Sequence, residues 1–162
     1  MEMGTKPVKE HEWLQNLVGE WITRTVMNMP DGSSMTTDGR ESVKSVGGLW
    51  AFGEGSGEMP DGSASNHYVA LGYDVSFKEY RGCWFGSFSS HLWKYVGSLS
   101  GDGKTMTLNC EGPDMEEDGK TALYKDVIEL IDQDHRKMTS YWQDQSGAWQ
   151  VAMTTEYSRT II

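Results

Sequence analysis

Three kinds of side chain in this sequence can do chemistry. His67 and His91 are imidazoles set among aromatic and aliphatic residues. Glu54, Asp126 and Arg136 are charges that recur in phase with such residues. Cys83 and Cys110 are thiols with no His at metal-ligand spacing. An imidazole of near-neutral pKa can act as a base, donate to a ligand or ligate haem iron. His91 and His67 equally suit structural roles, hydrogen-bonded inside a barrel mouth. Arg136 can grip a carboxylate through two parallel hydrogen bonds. With Glu54 and Asp126 it forms either a ligand clamp or an internal ion pair, because a buried charge without a partner is very costly. Glu54 and Asp126 also resemble the paired carboxylates of a hydrolase, although nothing in their spacing fixes a separation. His11 and His135 fall on a helix and beside a turn, and are expected to be solvated. No Ser-His-Asp order, phosphate loop or dinucleotide fingerprint occurs.

The elements that hold these residues are announced by turns. Clusters of Gly, Pro, Asp, Asn and Ser fall at 30–32, 47–48, 60–62, 74–76, 89–90, 101–103, 112–119, 132–134 and 145–147. Gly, Asn and Asp tolerate positive φ, and Pro presets the first turn residue. Nine turns separate ten expected strands: 20–28, 38–46, 49–57, 65–73, 79–88, 91–100, 104–111, 121–131, 135–143 and 148–157. Links this short exclude crossover helices, so the sheet is antiparallel, each strand beside the next. Closing it removes both edges. The expected fold is an all-β, ten-stranded, antiparallel up-and-down barrel. A helix over 8–18, with Trp13, Leu14, Leu17 and Val18 on one stripe, would plug one end. The chain reads as one domain, 1–162, with a flexible segment at 1–8. Met-Pro-Asp-Gly-Ser occurs at 29–33 and again at 59–63, and the simplest reading is repeated turn chemistry. The acidic stretch Asp114, Glu116, Glu117 and Asp118 reads as a solvated turn.

Alternation predicts the inward face. It places His91, Trp93, Tyr95 and Leu99 inside, with Tyr80, Trp84 and Phe88. Tyr124, Asp126, Ile128 and Leu130 follow, then Arg136, Met138, Ser140 and Trp142. Trp149, Val151, Met153 and Tyr157 are also assigned inward, as are Trp50, Phe52 and Glu54, and His67, Val69, Leu71 and Tyr73. Leu92, Phe85 and Val96 are left outside, a patch suited to a homodimer. The predicted pocket is thus lined by Trp50, Glu54, His67, Trp84, His91, Trp93, Tyr124, Asp126, Arg136 and Trp149. Aromatic walls with few polar groups characterise small-molecule sites.

Composition agrees. Leu, Ile, Val and Phe number only 28 of 162 residues and the net charge is −10, the profile of a disordered chain. Trp, Tyr and Met add 24 more, so the apolar core is carried by large flexible and flat side chains. The ten Met read as core and loop residues. An acidic surface disfavours nucleic acid. No run is long and apolar enough for a membrane span, and no signal-peptide core is present. Cys83 and Cys110 would stand about 9–10 Å apart, two strand steps of about 4.8 Å, beyond disulfide reach. Free thiols fit a reducing cytoplasm, and two Cys alone make no zinc site. No metal or cofactor is expected.

Leu14-x-x-Leu17-x-Gly19-Glu20-Trp21 resembles the Gly-x-Trp opening of the lipocalin and calycin superfamily. There the Trp packs under an Arg from the last strand, which implies Arg159 as the partner of Trp21. Longer strings resemble a bacterial, lipocalin-like family known as domain of unknown function 1579. They are His11-Glu12-Trp13-Leu14, Gly47-Gly48-Leu49-Trp50, Gly53-Glu54-Gly55, Leu71-Gly72-Tyr73-Asp74, His91-Leu92-Trp93, Glu111-Gly112-Pro113, Tyr124-Lys125-Asp126-Val127-Ile128-Glu129 and Asp134-His135-Arg136. The match spans about residues 10–159 and brings no established activity. Related nitrobindin barrels bind haem through a His, and no motif here aligns with that ligand. The expected function is binding of a small hydrophobic or amphipathic molecule inside the barrel. The alternatives are an enzyme that uses His91 with a carboxylate, and a haem-binding barrel.

Overall fold

A computed structural model describes residues 4–59 and 61–160. Met1–Met3, part of the segment expected to be flexible, and Pro60 of the second Pro-Asp-Gly turn lie outside the described residues. Ten strands form one closed antiparallel barrel in which each pairs with its sequence neighbours and the first pairs with the last. They are β1 (Gly19–Asn28), β2 (Ser34–Val46), β3 (Trp50–Glu58), β4 (Ala64–Asp74), β5 (Glu79–Gly86), β6 (Ser89–Leu99), β7 (Thr105–Pro113), β8 (Thr121–Asp132), β9 (His135–Gln143) and β10 (Trp149–Arg159). All ten expected strands are present. β2 starts earlier than its apolar pattern, because the polar stretch from Ser34 pairs along β1 as far as Asn28.

The repeated Met-Pro-Asp-Gly-Ser segments build the same loop. In each, Asp31 or Asp61 accepts from the backbone N–H and hydroxyl of the Ser two residues on. The Met N–H donates to the Ser carbonyl at 2.8 Å. Gly32 and Gly62 take φ of 87° and 84°, which only glycine adopts without strain.

The N-terminal helix is a 3-10 helix, Lys9–Leu17. At three residues per turn, His11, Leu14 and Leu17 fall in one line, and all three are buried with Trp13. It closes the end where β1 begins. Trp13 Nε1 donates to the Gly103 carbonyl at 2.8 Å, and Tyr80 Oη donates to the Glu10 carbonyl at 2.6 Å. His11 is not solvated as expected; it is 2% exposed. Its Nδ1 accepts from the Val8 N–H at 2.8 Å, so its Nε2 carries the proton and donates to the Tyr73 carbonyl at 3.1 Å. His135 is exposed, as expected, and its Nδ1 lies 2.8 Å from Asp132 Oδ1.

β3 turns opposite to the expected face, and so does β10 up to Val151, whereas its Met153 and Tyr157 face inward as expected. On β3 the inward positions are Ala51, Gly53 and Gly55, all buried, whereas Trp50 is 43% exposed and Glu54 is exposed. Placing the largest residues inward fails here because neighbouring strands already fill that space. A side chain at Gly53 would meet Val69 and Glu41, and one at Gly55 would fall on the His67 ring. Trp50 instead lies on the outer surface against Gly72. On β10 a bulge between Val151 and Met153 reverses the alternation. Met153, Thr155 and Tyr157 share the inner face, while Trp149 lies outside with the Lys125 ammonium 4.3 Å from its ring centroid. Phe85, Leu92 and Val96 are exposed, in agreement with their expected outward placement.

Inner rings lie against glycines of adjacent strands, Trp93 on Gly112 and His67 on Gly55. Gly112→Ala is expected to cost about 1–3 kcal/mol, the usual range for overpacking, read by chemical denaturation. Gly101→Ala, with open space and no positive φ, should stay within about 0.5 kcal/mol of wild type. The loop aspartates give a second expectation. Serine hydroxyls first, then backbone N–H groups, hold Asp31 and Asp61 below the ordinary carboxylate value of 3.8. Their contribution is complete above that value and is lost as pH falls below it. The melting temperature should drop there, and less steeply in the Asp31→Asn/Asp61→Asn variant.

Candidate functional site

The centre of the barrel holds a charge. Arg136, on β9, points inward beside its β10 partner Tyr157 and is 4% exposed. Its guanidinium carbon lies 3.7 Å from the Tyr157 ring centroid and 4.7 Å from that of Trp21. Cation–ring contacts of this kind strengthen when desolvated. Nη2 donates to Glu41 Oε1 at 3.4 Å. The other Glu41 oxygen lies 3.3 Å from His67 Nε2. Burial works to raise the Glu41 carboxyl; the His67 hydrogen bond and the Arg136 charge outweigh it and hold the group below its ordinary value. The His67 ring stacks on Trp84, centroids 5.4 Å apart. Among the described residues, Arg136 Nε has no hydrogen-bond partner.

A second polar pair stands apart from this chain. Tyr95, on β6, donates its hydroxyl proton to Asp126 Oδ2 on β8. Among the described residues no cation is paired with Asp126, and burial pushes its carboxyl up against the opposing hydrogen bonds from Tyr95 and Ser140. Burial likewise raises the Tyr95 hydroxyl, and it moves the Cys110 thiol up to about 12. Cys83 and Cys110 are both free.

Between these groups lies a cavity of about 40 Å³. Eight aliphatic or small side chains line it, from Leu17, Val43 and Ala51 to Ile128 and Met138, together with Trp84, Tyr95, Tyr157, Glu41 and Arg136. It has room for about three waters at roughly 10–15 Å³ each, or for the tip of a larger molecule. Nearer the end opposite the 3-10 helix, His91, Trp93 and Tyr124 form an edge-to-face series with centroids 4.6 and 4.7 Å apart.

Of the sequence-predicted site residues, His67, Trp84, His91, Trp93, Tyr124, Asp126 and Arg136 face inward, and Trp50, Glu54 and Trp149 face outward. The four tryptophans therefore do not converge; Trp84 and Trp93 alone are inside. The predicted clamp of Glu54, Asp126 and Arg136 is divided. Arg136 pairs with Glu41, and Asp126 with Tyr95. His91 Nε2 donates to the Glu111 carbonyl at 2.9 Å, and the histidine–carboxylate pair found inside the barrel among the described residues is His67 with Glu41. Sequence reasoning missed Glu41, which alternates in phase with Val43 in Glu41-Ser42-Val43 and so carried an inward signal. Among the described residues, no three His, Cys, Asp or Glu could hold a metal ion, and no helix is long and apolar enough to cross a membrane.

The superfamily contact is present: the Arg159 guanidinium lies 4.2 Å from the Trp21 ring centroid and Nη1 donates to the Val18 carbonyl at 2.6 Å. Arg136→Met strands Glu41 and should cost about 3–5 kcal/mol, with most of that recovered in Arg136→Met/Glu41→Leu; denaturation midpoints of the single and double variants check this.

Several solved barrels share the fold. An S-type phycobiliprotein lyase, CPES from Guillardia theta, is 13% identical with a TM-score of 0.61, over 96% of this chain and 94% of that one. Rv2717c from M. tuberculosis is 14% identical with a TM-score of 0.67, over 95% and 99%. EF1p2_mFAP2b bound to DFHBI is 12% identical with a TM-score of 0.50, over 93% and 98%. A search of the curated proteins finds no match. At such identities the likeness shows a shared barrel. One family profile covers nearly the whole sequence, residues 6–159, and the chain belongs to that family, described as protein of unknown function (DUF1579).

Proposed function

We propose that this protein binds a small hydrophobic or amphipathic molecule inside the barrel. The carrying observation is the central cavity, apolar in most of its lining, with its one cation and one facing carboxylate already paired. A barrel built solely to be packed would place aliphatic side chains there and avoid the cost of burying charge. Ligand enters on this reading past His67, Trp84, His91, Trp93 and Tyr124, which are all partly exposed. The volume at rest holds the end of a molecule, and the remainder lies among those rings. The mFAP2b barrel is named as bound to DFHBI, and the Guillardia theta barrel as a phycobiliprotein lyase, so this architecture is used around small organic molecules elsewhere. The two free cysteines fit a cytoplasmic setting.

Native mass spectrometry of the purified protein should show a bound small molecule, and the uncharged dye N-phenyl-1-naphthylamine should bind saturably at one site with quenching of tryptophan fluorescence. Ala51→Val, which adds two carbons at the cavity wall, should weaken that binding about tenfold, near 1.4 kcal/mol. No adduct together with no saturable binding would overturn the reading.

A further inference from the structure

We propose that the bound molecule presents an uncharged oxygen acceptor, a hydroxyl or amide-type carbonyl, to the Nε–H of Arg136; the inference rests on the binding reading above and specifies the ligand's polar end. Arg136 lines the cavity and is 4% exposed, yet its Nε has no partner. Leaving a buried donor unserved is costly, and native interiors seldom do so. The rings of Tyr157 and Trp21 pack on the guanidinium and Glu41 accepts from Nη2, while Nε is the one buried side-chain nitrogen or oxygen among the described residues without a partner.

Charge decides what kind of acceptor fits. The Arg136 cation is already matched by the Glu41 carboxylate, each side chain about 5% exposed or less. No other residue lining the cavity is an acid or a base of ordinary charge. The remaining interior carboxyl, Asp126, is pushed towards its neutral form by burial, which outweighs the opposing bonds from Tyr95 and Ser140. A ligand carboxylate would therefore arrive as a second anion beside Glu41 with no cation of its own, in a setting where an unmatched charge is poorly tolerated. A neutral oxygen satisfies Nε and adds no charge. The aliphatic lining from Leu17 to Met138 then suits a short alkyl or ring-bearing body.

The test is a matched set of eight-carbon probes, 1-octanol, octanamide and sodium octanoate, titrated calorimetrically into the whole protein at about pH 8, above the ordinary imidazole range. The alcohol and amide should bind at least about tenfold tighter than octanoate. Glu41→Gln, which leaves Arg136 unmatched, should raise octanoate affinity about tenfold and change the alcohol little. Arg136→Lys keeps the cation but removes Nε; it should weaken the amide and alcohol about tenfold and leave octanoate unchanged. Octanoate binding as tightly as the neutral probes in the wild type overturns the inference while leaving the pocket reading intact. So does a Glu41→Gln protein with an unaltered ranking. If none of the three binds while native mass spectrometry still shows a small molecule, this inference falls and the pocket remains. If none binds, N-phenyl-1-naphthylamine does not bind either and native mass spectrometry shows no adduct, both fall.

Discussion

A guanidinium buried at the middle of a β-barrel sets terms for everything around it. Arg136 has to be neutralised, so Glu41 must come from β2, three strands round the closed barrel, to within hydrogen-bonding range. Glu41 in turn has a second oxygen to satisfy, which draws in His67 and, through the stacked ring, Trp84. Tyr157 and Trp21 pack on the guanidinium, and Trp21 is held from the end of the barrel by Arg159 and by its own indole bond to the Leu17 carbonyl. These contacts engage β1, β2, β4, β5, β9 and β10. A one-residue slip in any of those strands would reverse its faces and leave a buried charge alone. The closed register is thus enforced by electrostatics as well as by apolar burial.

The contrast between the two interior carboxyls follows from the same logic. Glu41 has a cation and an imidazole, and stays a carboxylate below its ordinary pKa. Asp126 has a phenol and a hydroxyl, whose hydrogen bonds do not outweigh burial, and is pushed the other way. Two acids in one small barrel are driven apart by their partners, a separation that gives each a distinct role in a polar interior.

The strand count, the antiparallel order and the plugging segment were legible in the sequence because Gly, Asp and Pro mark turns by backbone chemistry that tertiary context seldom overrides. The facing of strands was legible wherever alternation ran unbroken, as from His91 to Leu99 and from Tyr124 to Leu130. It failed for two physical reasons. At Trp50 to Glu54 the inner face is built from Ala and Gly, since His67, Glu41 and Val69 project over it from neighbouring strands, and size alone points the wrong way. At Trp149 one extra residue in the strand changes the phase, and a bulge leaves no composition signature. Glu41 was missed because its charge reads as solvent-facing and outweighs the inward phase it shares with Val43 until its partner, 95 residues along, is known. His11 was misread because its burial depends on carbonyls of other elements.

The two identical Met-Pro-Asp-Gly-Ser loops hold themselves together, each aspartate bonding the serine of its own turn. Both sit on the rim opposite the 3-10 helix, and neither relies on the wall for its polar contacts. A rim made this way is exchangeable. Its loops can be lengthened or replaced without disturbing the Arg136 network, so one unchanging barrel can serve as a chassis for many different thresholds around the same interior.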